Sequence, residues 1–259
     1  MTNPIRVRKD VPSGTVIIDR PEANNALNRQ AVAELMQALV DFHGERQVRA
    51  VVITGAGESF CSGTDLQELR ITADSDSALE QWQEDVEQYQ ALFELLLRYP
   101  KPVIAATSGW VVGLGVGLVA ACDLVIAGQS TRFWLPESLR GLSAGLTVPL
   151  LNFRLSASRA NRLLLTNQPA TAAEAYHLGL VTHAVEDSLV WAKAQEIAME
   201  IARGARESFQ ATKQLLNETV GEMLFTQLSI GAAQMAAART TPAAEEGIRA
   251  FLEERQTKP

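Results

Sequence analysis

Ser108-Gly109-Trp110-Val111-Val112-Gly113-Leu114-Gly115-Val116-Gly117-Leu118 is the stretch that decides how this chain folds. A short β-rich run, Val103 to Thr107, precedes it, and an apolar segment of helical character follows. A strand that hands over to a helix through a glycine turn leaves backbone N–H groups unpaired at the positive end of a helix dipole. The same arrangement occurs upstream. There Ala50 to Thr54 runs into Glu58-Ser59-Phe60-Cys61-Ser62-Gly63-Thr64-Asp65-Leu66. Gly63 permits close backbone approach or a positive φ. Asp65 is placed to cap the next helix and so turn the Thr64 N–H outward. Two such turns aimed at one point would hold a developing oxyanion. One acid stands downstream, Glu137 in Phe133-Trp134-Leu135-Pro136-Glu137, and the second turn carries Gly117 where a partner acid could sit.

Outward from these turns, strands and helices alternate. Gly14 to Asp19, Ala50 to Thr54, Val103 to Thr107 and Leu124 to Ala127 are predicted strands. An amphipathic helix over Asn28 to His43 carries Val32, Leu35, Met36, Leu39 and Val40 on one face, with Asn28 as its cap. A second helix, Ala78 to Tyr99, ends before Pro100 because a residue preceding proline avoids the α region. Interleaving of this kind predicts a wound α/β core. The second half reads as helical: Ser156 to Thr166, a capping box at Thr171-Ala172-Ala173-Glu174, then Ser188 to Arg203, Glu207 to Asn217, Glu222 to Arg239 and a last helix from Thr241-Pro242. These helices are rich in alanine and leucine and several lack a strongly polar face. Such surfaces pack either on a partner subunit or into the chain's own core.

The 259 residues are 47% hydrophobic, which suffices for one large domain or a domain with a helical extension. A formal charge of −7 with no Lys/Arg cluster argues against a nucleic-acid partner. Residues 1–6 lack the apolar core of a signal peptide, and two cysteines, Cys61 and Cys122, cannot make a disulfide framework. A cytoplasmic location is therefore expected. Val103 to Ala121 is long and apolar enough to suggest a membrane span. Pro100 and Pro102 before it, four interrupting glycines and Asp123 after it read better as a buried strand, a turn and a short helix. No membrane partner is expected.

Other chemistries fail on context. Gly113, Gly115 and Gly117 sit in mid-chain, and Asp123 comes too soon for a dinucleotide fingerprint. Gly141-Leu142-Ser143-Ala144-Gly145 matches the nucleophile elbow of serine hydrolases, but no strand precedes it and no acid and histidine follow in the required order. His43, His177 and His183 lack metal-ligand spacing, so no metal is expected. Cys61 has no histidine near it in sequence and reads as a small buried filler.

The two turns do not stand alone. Arg20 through Asn28, Ile53-Thr54-Gly55-Ala56-Gly57 and Phe60 through Leu66 follow the order and spacing of the enoyl-CoA hydratase/isomerase (crotonase) superfamily, as do Pro102 through Ala106, Ser108-Gly109, Cys122-Asp123, Ala175 through Val181 and Glu246 through Leu252. The chain resembles that superfamily over nearly its whole length. The resemblance implies an α/β fold, a spiral of ββα units over residues 1–190 with a C-terminal helical region over 191–259 that mediates trimers or dimers of trimers. It implies an acyl-CoA substrate, with coenzyme A as part of the substrate and no separate cofactor. Carried over by position, Thr64 and Leu114 would donate backbone N–H groups to the thioester oxygen, and Glu137 would act as acid/base. Asn25, Ala26, Asp65, Leu66 and Gln67 would line the carrier and acyl site.

Two glutamates act in the superfamily's hydratases. Here the first falls at Gly117, and Gly145, where some isomerases place an acid, also offers no carboxylate. Ala23 stands where related sequences often carry a lysine near the CoA phosphates, which leaves the pantetheine carrier open. Trp82, Trp110, Phe133 and Trp134 are candidates for the pocket wall or for the core. One carboxylate can remove a proton and return it elsewhere, whereas adding water generally calls for a second group. A double-bond shift is the expected reaction, with hydration by a single Glu, a non-catalytic acyl-CoA binder and hydrolysis at Ser143 as alternatives.

Overall fold

The chain begins with β1 (Ile5–Asp10) and β2 (Ser13–Ile18), then α1 (Arg29–Gly44). The computed structural model describes residues 3–257, and side chains at all of these except 217–222 and 255–257. β3 (Ala50–Gly55) and β4 (Ser59–Cys61) lead into α2 (Leu66–Ala73) and α3 (Ala78–Arg98). β5 (Val103–Thr107) and β6 (Trp110–Val112) lead into α4 (Leu114–Ala121), and β7 (Leu124–Gly128) and β8 (Arg132–Trp134) into a 3₁₀ turn at Glu137–Arg140. There follow α5 (Thr147–Arg154), α6 (Ala157–Leu165), β9 (Ala170–Thr171), α7 (Ala172–Leu178), β10 (His183–Val185), α8 (Val190–Ala202), α9 (Arg206–Arg239) and α10 (Pro242–Thr257).

β1 to β3, β5, β7 and β10 form one sheet in the order β1-β2-β3-β5-β7-β10, parallel except for the β1–β2 pair. β4, β6, β8 and β9 form a second. Each of β3, β5 and β7 therefore hands on to a short strand of the other sheet before the chain turns into a helix, which is the expected ββα repeat. The first sheet is covered on both faces, and this explains its unbroken apolar strands. Ala50, Val52, Ile104 and Ala106 face Val190, Ala194 and Ile197 of α8. Val51, Ile53, Val103 and Ala105 face the main core with α1, α3 and α4.

Local signals hold where they were strongest. Asn28 Oδ1 accepts from the Ala31 N–H at 2.8 Å to cap α1. Thr171 and Glu174 close a full capping box on α7. Pro242 opens α10. One expectation is corrected: Glu207–Asn217 and Glu222–Arg239 are not two helices but parts of α9, which runs 34 residues unbroken. A helix interior absorbs a glycine such as Gly221 at about 1 kcal/mol. The packing of α9 against α3 and α5 outweighs that cost. β1, β10 and the strands of the second sheet were not anticipated; apart from β1 these are two or three residues long and offer too few alternations to read. Among the described residues no helix is long and apolar enough to cross a membrane. Val103 to Ala121 is instead β5, β6 and α4, as its glycines and prolines suggested.

Candidate active site

The loop after β2 starts the construction. Asn25, fully buried with φ of 57°, donates from Nδ2 to the carbonyls of Ala56 (2.7 Å) and Ser59 (2.6 Å), and its Oδ1 accepts from the Arg20 N–H at 2.8 Å. It is a strut behind the wall and does not line the cavity. The strut sets Leu27 against the first glycine turn. The Leu27 N–H donates to the Gly63 carbonyl (2.7 Å), and the Leu27 carbonyl accepts from the Asp65 N–H (3.2 Å). In a parallel bridge the residue between those two points its own N–H the other way, and that residue is Thr64. Asp65 then caps α2, its Oδ1 accepting from the Gln67 and Glu68 N–H groups, while Arg20 pairs with its Oδ2 at 2.9 Å. The expected cap is present.

The second turn meets the first at Gly63 and Gly113. Gly63 has φ of 85°, and a Cβ there would lie 2.7 Å from the Val112 carbonyl and 3.0 Å from the Leu114 nitrogen. Only glycine brings the two turns this close. Gly113 (φ 57°) is the residue before α4, which makes Leu114 the first helical residue, whose N–H has no intrahelical acceptor. Among the described residues neither the Thr64 N–H nor the Leu114 N–H has a protein acceptor. A Cβ on Gly113 would lie 2.8 Å from Glu137 Oε1, so the acid sits directly beside this pair of donors.

Glu137 heads the 3₁₀ turn that follows β8 and Pro136. Its Oε2 is buried without a partner, and burial pushes its carboxyl up to about 7, with Arg140 pulling modestly the other way. It lines an inner cavity of about 40 Å³ together with Thr64, Leu114, Ser143, Thr147, Met235 and Arg239. This cavity shares Ser62, Thr64, Leu66, Val112 and Arg140 with an outer groove of about 770 Å³. Ala23, Ala26, Asp65, Gln67, Trp110 and Trp134 also line the groove. Trp110 and Trp134 stand together there with ring centroids 5.9 Å apart, whereas Phe133 and Trp82 are buried in the core. The groove's charged walls are Glu58, Asp65, Asp187 and Arg140, with no lysine among the described lining residues.

The structure also explains what could stand at Gly117. A Cβ there would meet Thr147 Oγ1 at 2.9 Å and Phe93 Cζ at 3.0 Å, so the space for a second carboxylate is already filled. Gly145 is closed as well, since a Cβ would strike the carbonyl of Gly231 on α9. Gly117→Ala is accordingly expected to lower unfolding stability by about 1–3 kcal/mol through overpacking. Urea titration checks this, and an unchanged midpoint would mean that the space is open after all.

The other candidates fall away or change role. Ser143 lies on the loop between the 3₁₀ turn and α5, not on a strand-to-helix elbow, and among the described residues no histidine lines its cavity. The Cys61 thiol is fully buried, and burial pushes it up to about 12, which suits a filler and not a nucleophile. Among the described residues no group of acids, cysteines and histidines could hold a metal. Sequence reasoning missed Arg140, Thr147, Met235 and Arg239. A single arginine closing the alanine-rich run Ala232 to Ala238 was the available hint for the last of these.

With this geometry in place, comparison with known proteins is direct. A family model described as enoyl-CoA hydratase/isomerase matches residues 14–258. The chain is 32% identical over 240 residues to a 2,3-dehydroadipyl-CoA hydratase of Escherichia coli (strain K12), covering 92% of this chain and 91% of that protein. It is 30% identical over 256 residues to a short-chain-enoyl-CoA hydratase of Clostridium acetobutylicum, covering 98% and 96%. A crystal structure of an enoyl-CoA hydratase from Mycobacterium avium superposes with a TM-score of 0.86 at 30% identity, over 98% of each chain.

Proposed function

The chain belongs to the enoyl-CoA hydratase/isomerase family, and from that premise we propose that it shifts a carbon–carbon double bond of an acyl-CoA thioester through an enolate. One observation carries this reading: Glu137 is the single carboxylate among the described lining residues of the inner cavity. In the proposed reaction the thioester oxygen accepts from the Thr64 and Leu114 N–H groups. The Glu137 carboxylate removes a proton from the α-carbon of a 3-enoyl thioester, and the electron pair moves to the oxygen as the enolate forms. The enolate then collapses to the 2-enoyl thioester as the same carboxyl returns a proton to the γ-carbon. The carrier arm follows the groove along Ala23, Ala26, Asp65, Leu66 and Gln67. Exposed Leu215, Leu216, Met223 and Ile230 along α9 support association of copies into the trimer that the family resemblance implies.

The base must be ionised to act. The rate of α-proton removal by free enzyme is therefore expected to rise with pH through about 7 and level off above it. A kcat/KM profile on 3-enoyl-CoA reads this directly, and a flat profile between pH 5 and 9 would remove Glu137 from the role.

A second reading is hydration with one Glu. Ser143 and Thr147 bring hydroxyls to the same cavity that could hold a water, and the relatives above carry hydratase names. Incubation with 2-enoyl-CoA in ¹⁸O-labelled water separates the two. Slow label uptake into a 3-hydroxyacyl product is the expected result. Fast stoichiometric uptake would overturn the preference for the double-bond shift.

A further inference from the structure

The inner cavity ends on an arginine. Arg239, at the last turn of α9, lines it together with residues of the glycine turns, with a side chain only 1% exposed. A guanidinium offers five N–H donors in a fixed fork. Nη1 donates to the Trp82 carbonyl at 3.3 Å and lies 3.6 Å from Asp85 Oδ2. That carboxylate is already gripped twice by Arg29, at 2.6 and 3.0 Å. Nη2 has no acceptor in hydrogen-bond geometry among the described residues, while the Tyr89 side chain also holds the guanidinium. Buried charged donors are costly to leave unpaired, so the wall at this end is built to meet an oxygen. The charge balance says which kind. Two guanidiniums, Arg140 and Arg239, line the cavity against one carboxylate, Glu137.

We propose that the inner cavity takes a short acyl group whose far end bears a carboxylate, and that the Arg239 guanidinium donates to it. The inference rests on the thioester reading above, which sets the acyl carbonyl at Thr64 and Leu114 and sends the tail toward Leu69, Met235 and Arg239. The size of the cavity favours a short tail, since about 40 Å³ is room for roughly three waters. A methyl-ended chain of the same length would leave Nη2 without a partner, and sites built for a hydrogen bond discriminate strongly against ligands that lack it.

Calorimetric titration of the full chain with valeryl-CoA and glutaryl-CoA tests the inference. These saturated thioesters have equal carbon number and differ in the terminal methyl or carboxylate. Glutaryl-CoA is expected to bind wild type about tenfold or more tightly than valeryl-CoA. That preference should vanish in Arg239→Met and survive in part in Arg239→Lys. Equal binding of the two ligands, or tighter binding of valeryl-CoA, overturns the inference and leaves the proposed function standing. A glutaryl preference retained in Arg239→Met overturns the assignment to Arg239. Failure of both ligands to bind would instead strike the thioester reading itself. Should the variants misfold, the wild-type ratio alone decides, together with glutaryl-CoA monoamide, which keeps an oxygen acceptor without the charge and should bind between glutaryl-CoA and valeryl-CoA.

Discussion

Glu137→Gln is expected to slow double-bond migration in 3-enoyl-CoA by between about a hundredfold and ten-thousandfold. The substitution keeps the shape of the side chain beside Gly113 and takes away its ability to accept a proton. The size of the loss follows from what the cavity offers instead: a hydroxyl at Ser143 and at Thr147, two guanidiniums, and no other carboxylate among the described lining residues. None of these is a base near neutral pH. The fold should survive. Glu137 titrates near 7 in the folded chain, against an ordinary value of 4.5, so the folded state binds its proton more tightly than the unfolded state. Stability from this group is therefore fully present below pH 4.5 and falls as pH rises through about 7. The full cost is about 3 kcal/mol. Above that pH Glu137→Gln should be at least as stable as wild type in urea. A slow and stable variant separates loss of chemistry from loss of structure. Retained turnover would remove Glu137 from its role.

Leu114→Pro is expected to cost between about a hundredfold and a thousandfold in kcat, while Leu114→Ala costs far less. Leu114 is the first residue of α4, where a proline fits because the N–H it lacks has no helical acceptor anyway. The change therefore deletes one of the two proposed donors to the thioester oxygen and sets the ring Cδ in its place, with little effect on the helix. Leu114→Ala trims the side chain and keeps the N–H, so the difference between the two variants reports on the donor position and not on the leucine side chain. Steady-state rates on 3-enoyl-CoA, with thermal melts of both variants, measure it. Equal rates in the two variants would mean that the Leu114 N–H is not part of the hole.

Much of this site was legible in the sequence because it is written in local signals. Gly63, Asp65 and Gly113 each answer a backbone demand within a few residues: a positive φ, a helix cap, a strand-to-helix turn. The helix caps at Asn28 and Thr171 were readable for the same reason. The second sheet was not, since β4, β6 and β8 are three residues each and their pairing is set by the larger sheet beside them. The break expected within α9 failed because tertiary packing overrode a weak local preference. Gly117 shows the limit most sharply. Its lack of an acid was plain, but the reason no acid fits is Phe93 on α3 and Thr147 on α5, each remote in sequence. Arg239 reaches the cavity from the far end of a helix whose surface the sequence left open between a partner subunit and the chain's own core.

The central claim is that one carboxylate beside a two-donor oxyanion hole moves a double bond more readily than it adds water. Proton NMR of 3-hexenoyl-CoA incubated with the enzyme in D₂O follows both outcomes in one tube. The expected result is early growth of 2-hexenoyl-CoA with deuterium at the α- or γ-carbon, and only slow growth of the 3-hydroxyacyl product. Growth of the 3-hydroxyacyl product as fast as the 2-enoyl product is formed would contradict the account.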